Sequence, residues 1–313
     1  MNNGRHDLPW RKKIKPYKVW ISEVMLQQTQ VQTVLPYFKK FNLTYPSWKK
    51  FSSISEDEIL SLWSGLGYYR RANNIYLALQ IIRNKHNNRF PSEYEDIINL
   101  PGIGRSTAGA IMSIAFKKPF PILDANAKRV IKRFYLVNKD KKSEEEAELW
   151  ELSKINTPSS NIFEYTQGIM DVGSQICFYK NPSCEKCPLN KLCKSAFKNV
   201  NEVPKSKVIK IKENITFNLA KYKDEVLLFK RDNYSIWSNL WAPHQGKNIV
   251  FPDSYVNQTS IKINHKLSHK NLALSFRIFE FESKFKPKTN KKFKWIKKIN
   301  AINYGMPKPV THI

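Results

Sequence analysis

Between Val19 and Phe38, apolar Trp20, Val24, Val31, Leu35 and Phe38 recur at steps of three, four and seven, the spacing of one buried helix face. The pattern predicts a helix, with Pro36 kinking or ending it because proline lacks the amide and clashes with the preceding turn. The same helical texture, with short breaks, continues to about residue 197. It includes a helix opened by Asp124 in DANAKRVIKRF and an acidic, solvated run at SEEEAELWE. Beyond it the period changes. FNLAKYKDEVLLFKR alternates about a central turn as a hairpin does, and LALSFRIFEFES sets Leu272, Leu274, Phe276 and Ile278 against Ser275, Arg277, Phe279 and Phe281. The Lys-rich, Pro-containing KNVNEVPKSKVIKIKE between the two regions reads as a linker. The expected organisation is a mainly α domain over 1–197, a linker over 198–213 and a β-rich domain over 214–313.

Charge narrows the partners. Among 313 residues, 53 Lys and Arg face 26 Asp and Glu, a formal charge of +27, so a polyanion is expected. Nucleic acid comes before an anionic membrane surface, because no apolar run reaches the ~18 residues of a spanning helix. No charged-then-apolar signal segment opens the chain, and a cytoplasmic setting is expected, on the nucleoid if the source is bacterial.

Three local features carry chemistry. All four cysteines, Cys177, Cys184, Cys187 and Cys193, fall in one C-x6-C-x2-C-x5-C loop. A reducing compartment disfavours disulfides, and the spacing by itself leaves structural zinc and a [4Fe–4S] cluster equally open. Five of the ten glycines lie between Gly65 and Gly109. In LPGIGRSTAGA, Gly102 and Gly104 precede a helix; such a turn either merely connects helices or presents bare amides to a phosphate. Glu23, beside Trp20 and Val24, is by pattern a solvated glutamate or a buried acid, and Asp124 reads as an ordinary N-cap.

The order of the motifs decides among these. LPWRKKIKPYKVWISEVMLQQTQVQTVLPYF, WSGLGYYRRANN, LPGIGRSTAGAI, PILDANAKRV, GIMDVGSQIC and the cysteine loop resemble the MutY-type adenine DNA glycosylases, relatives of endonuclease III, across nearly the whole chain. The resemblance implies a helix-hairpin-helix glycosylase domain with a [4Fe–4S] loop held by the four cysteines, plus a C-terminal α+β Nudix-like domain. No Gly-x5-Glu…Arg-Glu-x2-Glu-Glu box follows Gly246, so that domain is expected to read DNA rather than hydrolyse pyrophosphates. It also implies Glu23 as general acid and Asp124 as the anion facing an oxocarbenium-like sugar. Gln28 and Tyr68 match the residues wedged into the base stack, while Leu26 and Thr29 match positions near the opposite base and the pocket. Gly102 and Gly104 match the phosphate-gripping hairpin, and Arg11, Asn126 and Gln167 match pocket positions. Ser268 and His269 follow Leu267 in HKLSHKNL, similar to the family's Phe-Ser-His lesion-reading loop. Ser106 stands where bifunctional relatives carry an imine-forming lysine, and a hydroxyl cannot form an imine. The expectation is a monomeric, monofunctional enzyme acting on double-stranded DNA with A·8-oxoguanine or A·G mispairs. The alternatives are a bifunctional glycosylase/lyase and a non-catalytic iron–sulfur DNA-binding protein.

Overall fold

A computed structural model of the chain describes residues 5, 7–198, 210–232, 236–246, 250–267 and 270–313. The helices are α1 (Pro16–Leu26), α2 (Val31–Thr44), α3 (Trp48–Phe51), α4 (Glu56–Leu62), α5 (Arg70–Lys85), α6 (Tyr94–Ile98), α7 (Arg105–Ala115), α8 (Ala125–Tyr135), α9 (Lys142–Asn156) and α10 (Ile162–Gln175). The strands are β1 (Ile211–Tyr222), β2 (Glu225–Lys230), β3 (Trp241–Ala242), β4 (His244–Gln245), β5 (Asn257–Lys266), β6 (Lys270–Glu280) and β7 (Phe293–Lys297). Among the described residues no helix is long and apolar enough to cross a membrane. The chain divides into two compact units, Met1–Ser52 with Leu77–Pro204, and Ser53–Tyr76 with Lys205–Ile313.

The first unit is helical. Seven of the eleven residues of α1 are buried, so this helix is enclosed almost all round. Its Tyr17 and Trp20 join an aromatic core with Phe41 of α2 and Phe51 of α3; Phe41 meets Phe51 edge-to-face at 5.0 Å. The helix expected across Val19–Phe38 is interrupted: α1 stops at Leu26, Gln28 adopts φ 55°, and α2 starts at Val31. Pro36 does not end α2, which runs on to Thr44. Packing of the fully buried Phe38 and Phe41 outweighs the lost backbone bond. A second cluster, of Leu123, Ile131, Val137 and Leu149, joins α8 to α9.

The second unit is built on a sheet with strand order β3-β2-β1-β6-β5, β4 pairing with β1 and β7 with β2. The expected hairpin is β1–β2, closed at Tyr222↔Glu225. β1 runs parallel to β6 from Ile211↔Lys270 to Lys221↔Glu280, and β5 pairs antiparallel with β6. On β6 the expected alternation holds from Leu272 through Phe276 and then fails: Phe279, and Phe281 just beyond the strand, are buried, while Ile278 is only partly covered. The reason is a second apolar layer, where Phe279 and Phe281 pack with Ala220, Leu227, Phe229 and Phe251. The helical part of this unit comes from α4, the start of α5 and two 3-10 turns at Lys298–Asn303 and Lys308–His312. Segment 53–76 thus belongs by compactness with the C-terminal strands. Asp57 of α4 accepts hydrogen bonds from Lys230 Nζ at 2.6 Å and Trp241 Nε1 at 2.9 Å, which hold its carboxyl below its ordinary pKa against the opposing effect of burial.

Gly109 and Gly168 make a pair that tests the packing of the first unit. A Cβ at Gly109 in α7 would lie 2.2 Å from the Pro121 carbonyl oxygen, whereas one at exposed Gly168 in α10 meets nothing within 4 Å. Gly109→Ala should destabilise by roughly 1–3 kcal/mol, and Gly168→Ala should stabilise by roughly 0.5–1 kcal/mol. Denaturant titration of the two variants is the check; the same sign for both would contradict the packing described.

Candidate active site

Glu23 lies in the last turns of α1, where nearly every neighbour in sequence is apolar and buried. Its side chain is partly covered, and burial pushes its carboxyl up to about 7; the negative charge of Asp124 adds to the rise and the Arg11 guanidinium opposes it. The three residues therefore form one electrostatic group. Arg11 is fixed by a two-pronged ion pair, with Nη1 2.7 Å and Nη2 2.8 Å from the Asp171 carboxylate on α10. The same guanidinium thus faces two carboxyls, bonding one of them directly. Gln167, one turn earlier on α10, is buried and lies on the same helix face as Asp171.

Asp124 is the N-cap of α8. Its two oxygens accept from the amides of Asn126 at 3.1 Å and Ala127 at 3.0 Å, so the start of α8 fixes the carboxyl in place. Ala125 is an ordinary helical residue, the first of α8. The segment leading to Asp124 is braced by Ser106, whose hydroxyl accepts from the Leu123 amide at 3.0 Å. The same segment runs against α7, which only the missing side chain of Gly109 allows. Gly173 does likewise for α10, since a Cβ there would lie 2.6 Å from Asn126 Cβ.

The hairpin has Gly102 at φ 80° and Gly104 as the N-cap of α7, with no side chain to occupy the first helical amides. Gln27 ties α1 to this hairpin through Gly102 O and Thr107 Oγ1. Gln28 is exposed in the left-handed region, between Leu26 and Thr29, whose amide donates to Leu26 O at 3.2 Å. Tyr68, in the second unit, is likewise exposed and left-handed at φ 52°. Ser268 and His269 lie outside the described residues.

The cysteine loop follows α10. All four cysteines are free and partly buried, and the Cys187 thiol is pushed up by burial and then by the charges of Cys177, Cys193 and Cys184, so the four sulfurs lie near one another. Among the described residues no three Cys, His, Asp or Glu side chains converge tightly enough to hold a metal ion. Arg133 of α8 donates to Cys177 Sγ at 3.3 Å and to Tyr179 O at 2.9 Å, and Arg129 donates to Cys177 O at 2.6 Å.

Residues 21–154 match the HhH-GPD superfamily of base excision DNA repair proteins. The chain is 42% identical to the adenine DNA glycosylase of Buchnera aphidicola subsp. Baizongia pistaciae, over 99% of this chain and 92% of that protein. It is 39% identical to the adenine DNA glycosylase of Buchnera aphidicola subsp. Schizaphis graminum, over 99% and 94%. This chain belongs to the adenine DNA glycosylase family. The helical region also resembles the structure of a thermostable thymine-DNA glycosylase, at TM-score 0.56 and 31% identity over 62% of this chain and 89% of that one.

Asp171, Arg129, Arg133 and Gln27 all lie within the sequence motifs, yet had no assigned role. Asp171 has a legible signal, an acid in the middle of α10 flanked by the apolar Ile169, Met170 and Val172. Arg129 and Arg133 are spaced one helical turn apart, but their backbone acceptors 44 to 48 residues away leave no trace in the pattern.

A carboxyl raised by the fold contributes stability that is complete below its unfolded value and lost as pH rises through the folded one. For Glu23 that window runs from about 4.5 to about 7. Glu23→Gln, which carries no charge at any pH, should melt with the parent at pH 4.5 and several degrees above it at pH 8. Parallel melting curves across the range would show that Glu23 is not desolvated.

Proposed function

We propose that this chain is a monofunctional glycosylase that hydrolyses the bond between deoxyribose and adenine in A·8-oxoguanine and A·G mispairs of double-stranded DNA. The observation that carries the reading is the Glu23 carboxyl raised to about 7 beside Asp124. A carboxylic acid that still holds its proton near neutral pH can donate it to an imidazole-ring nitrogen of adenine, making the base a neutral leaving group. As the glycosidic bond breaks, positive charge develops on the sugar. The Asp124 carboxylate, held by the first amides of α8, stabilises that charge, and water completes the substitution. Ser106 cannot form an imine, so the backbone stays intact. Lys128 is an alternative amine, but it is ion-paired with Glu146.

Reaching the bond requires turning the nucleotide out of the duplex, at a cost of a few kcal/mol that a mispair reduces. Gln28 and Tyr68 are the wedge residues of this reading, both exposed and both in a backbone conformation that side chains seldom adopt. Gly102 and Gly104 hold a backbone phosphate. Arg11, Leu26, Thr29, Asn126 and Gln167 shape the pocket and its approach. Cys177, Cys184, Cys187 and Cys193 would hold a [4Fe–4S] cluster, four free thiols on one loop supplying one ligand per iron, and the cluster would brace the loop. The exposed Lys180, Lys186, Lys191 and Lys194 of that loop add phosphate affinity. The C-terminal Nudix-like region reads the lesion through Ser268 and His269.

Glu23→Gln should retain mismatch binding while excision falls by at least 100-fold, and Asp124→Asn should also stop turnover. In the parent the excision rate should decline as pH rises above about 7, where Glu23 loses its proton. The product strand should remain whole until alkali is added. Normal excision by Glu23→Gln, or strand scission without alkali, would overturn the assignment.

The lesion reader has its own test. Ser268→Ala with His269→Ala in the full chain should reduce the ratio of excision rates on A·8-oxoguanine and A·G. Neutralising three of the eight lysines between Lys284 and Lys298 should instead weaken binding to both duplexes about equally. An unchanged ratio in the double variant would remove the C-terminal region from lesion reading.

A further inference from the structure

The loop that bears Tyr68 is anchored from far along the chain, within the second unit. Gly65 and Gly67 adopt φ 90° and 81°, so the stretch Gly65-Leu66-Gly67-Tyr68 folds back on itself in a way that residues with side chains resist. Two residues close its base. Arg71 donates to Gly67 O at 3.1 Å with its guanidinium 5.3 Å from the centre of the Tyr68 ring. The Tyr69 hydroxyl accepts from the Gly65 amide at 3.1 Å and donates to the Met306 carbonyl at 3.3 Å, where Ser64 Oγ also donates at 3.3 Å. Met306 is itself buried. It is carried there by Gly305, whose carbonyl accepts from the Trp241 amide at 2.8 Å and whose absent side chain lets the backbone close on α4: a Cβ would lie 2.4 Å from Leu60 Cβ.

Tyr69 therefore acts as donor and acceptor at once, a role open to a hydroxyl and closed to phenylalanine. We propose that Tyr69 is a positioning residue for base extrusion, coupling the Tyr68 wedge loop to the Gly305–Met306 segment, so that the C-terminal part of the chain sets the wedge as well as reading the lesion. This rests on the reading of Tyr68 as a wedge. A wedge that must displace stacked bases works only if its own backbone resists the load, and the left-handed Tyr68 has no intrinsic preference for its conformation. The latch to Met306 supplies that resistance.

The test uses full-length protein and Tyr69→Phe, which removes one oxygen and keeps the ring. In the active chain, single-turnover excision of adenine opposite 8-oxoguanine should fall about tenfold, the effect of one lost hydrogen-bonded link, while the thermal midpoint and duplex Kd stay near those of the parent. In the Glu23→Gln background, a duplex with 2-aminopurine in place of the target adenine should brighten on binding as the base unstacks. Adding Tyr69→Phe should remove more than half of that gain. Gly305→Ala, which pushes the tail off Leu60, should act in the same direction. An unchanged excision rate, or slow excision with the full fluorescence gain, would overturn the inference, since in the second case the loss lies in the chemistry. If Glu23→Gln alone binds the duplex with no brightening, the base-extrusion reading itself falls and takes the latch with it.

Discussion

Glu23 and Asp124 are close enough that the negative charge of Asp124 adds to the rise that burial gives the Glu23 carboxyl, and the helical unit is organised around these two unlike carboxyls. The asymmetry comes from their settings. Glu23 projects from a helix enclosed by aromatic and aliphatic side chains, while Asp124 receives two backbone amides at the start of α8. Desolvation is the largest influence on Glu23, and the Arg11 guanidinium, held by a bidentate bond to Asp171, opposes it.

Such an arrangement tolerates little movement, and its tolerances are set by backbone contacts. Gly109 lets the Pro121 carbonyl approach α7, and Gly173 lets α10 approach Asn126, so the residues on both sides of Asp124 are pinned by main chain packed on main chain. The Ser106 hydroxyl adds a bond to Leu123 between these two points. One atom thus serves two ends: it braces the anion, and by its chemistry it rules out a lyase at that position. Farther along α8, Arg129 and Arg133 bind the carbonyls and a sulfur of the cysteine loop. The helix that starts with Asp124 therefore also carries the attachments of that loop.

How much of this could be read from the chain follows from the range of each interaction. Local chemistry was legible: the N-cap at Asp124, the glycines of the hairpin, the β1–β2 hairpin and the grouped cysteines all announce themselves within a few residues. The break at Gln27–Gln30 was not, because apolar spacing continues in step through a non-helical turn, so that periodicity alone joins α1 to α2. Pro36 misled in the opposite sense, since the aromatic core holds α2 together past it. On β6 the alternation assumed one buried face, and the layer over Phe279 and Phe281 covers the other. The assignment of segment 53–76 to the C-terminal unit depends on Asp57, Leu60 and Ser64 meeting residues about 170 to 240 positions later, a separation no local pattern encodes.

Two of the left-handed residues in this molecule sit where the proposed mechanism needs rigidity. Gln28 and Tyr68 are exposed, polar-tipped and left-handed, a combination that a free loop would relax at a gain of about 1–3 kcal/mol each. Each is flanked by a tie that prevents this: Gln27 to the hairpin on one side, Tyr69 and Arg71 to the wedge-loop base on the other. In both loops a sequence neighbour of the strained residue is bonded elsewhere. A side chain held this way is preorganised to enter a base stack without first ordering itself, so the entropy of fixing it is already met in folding, before DNA is bound.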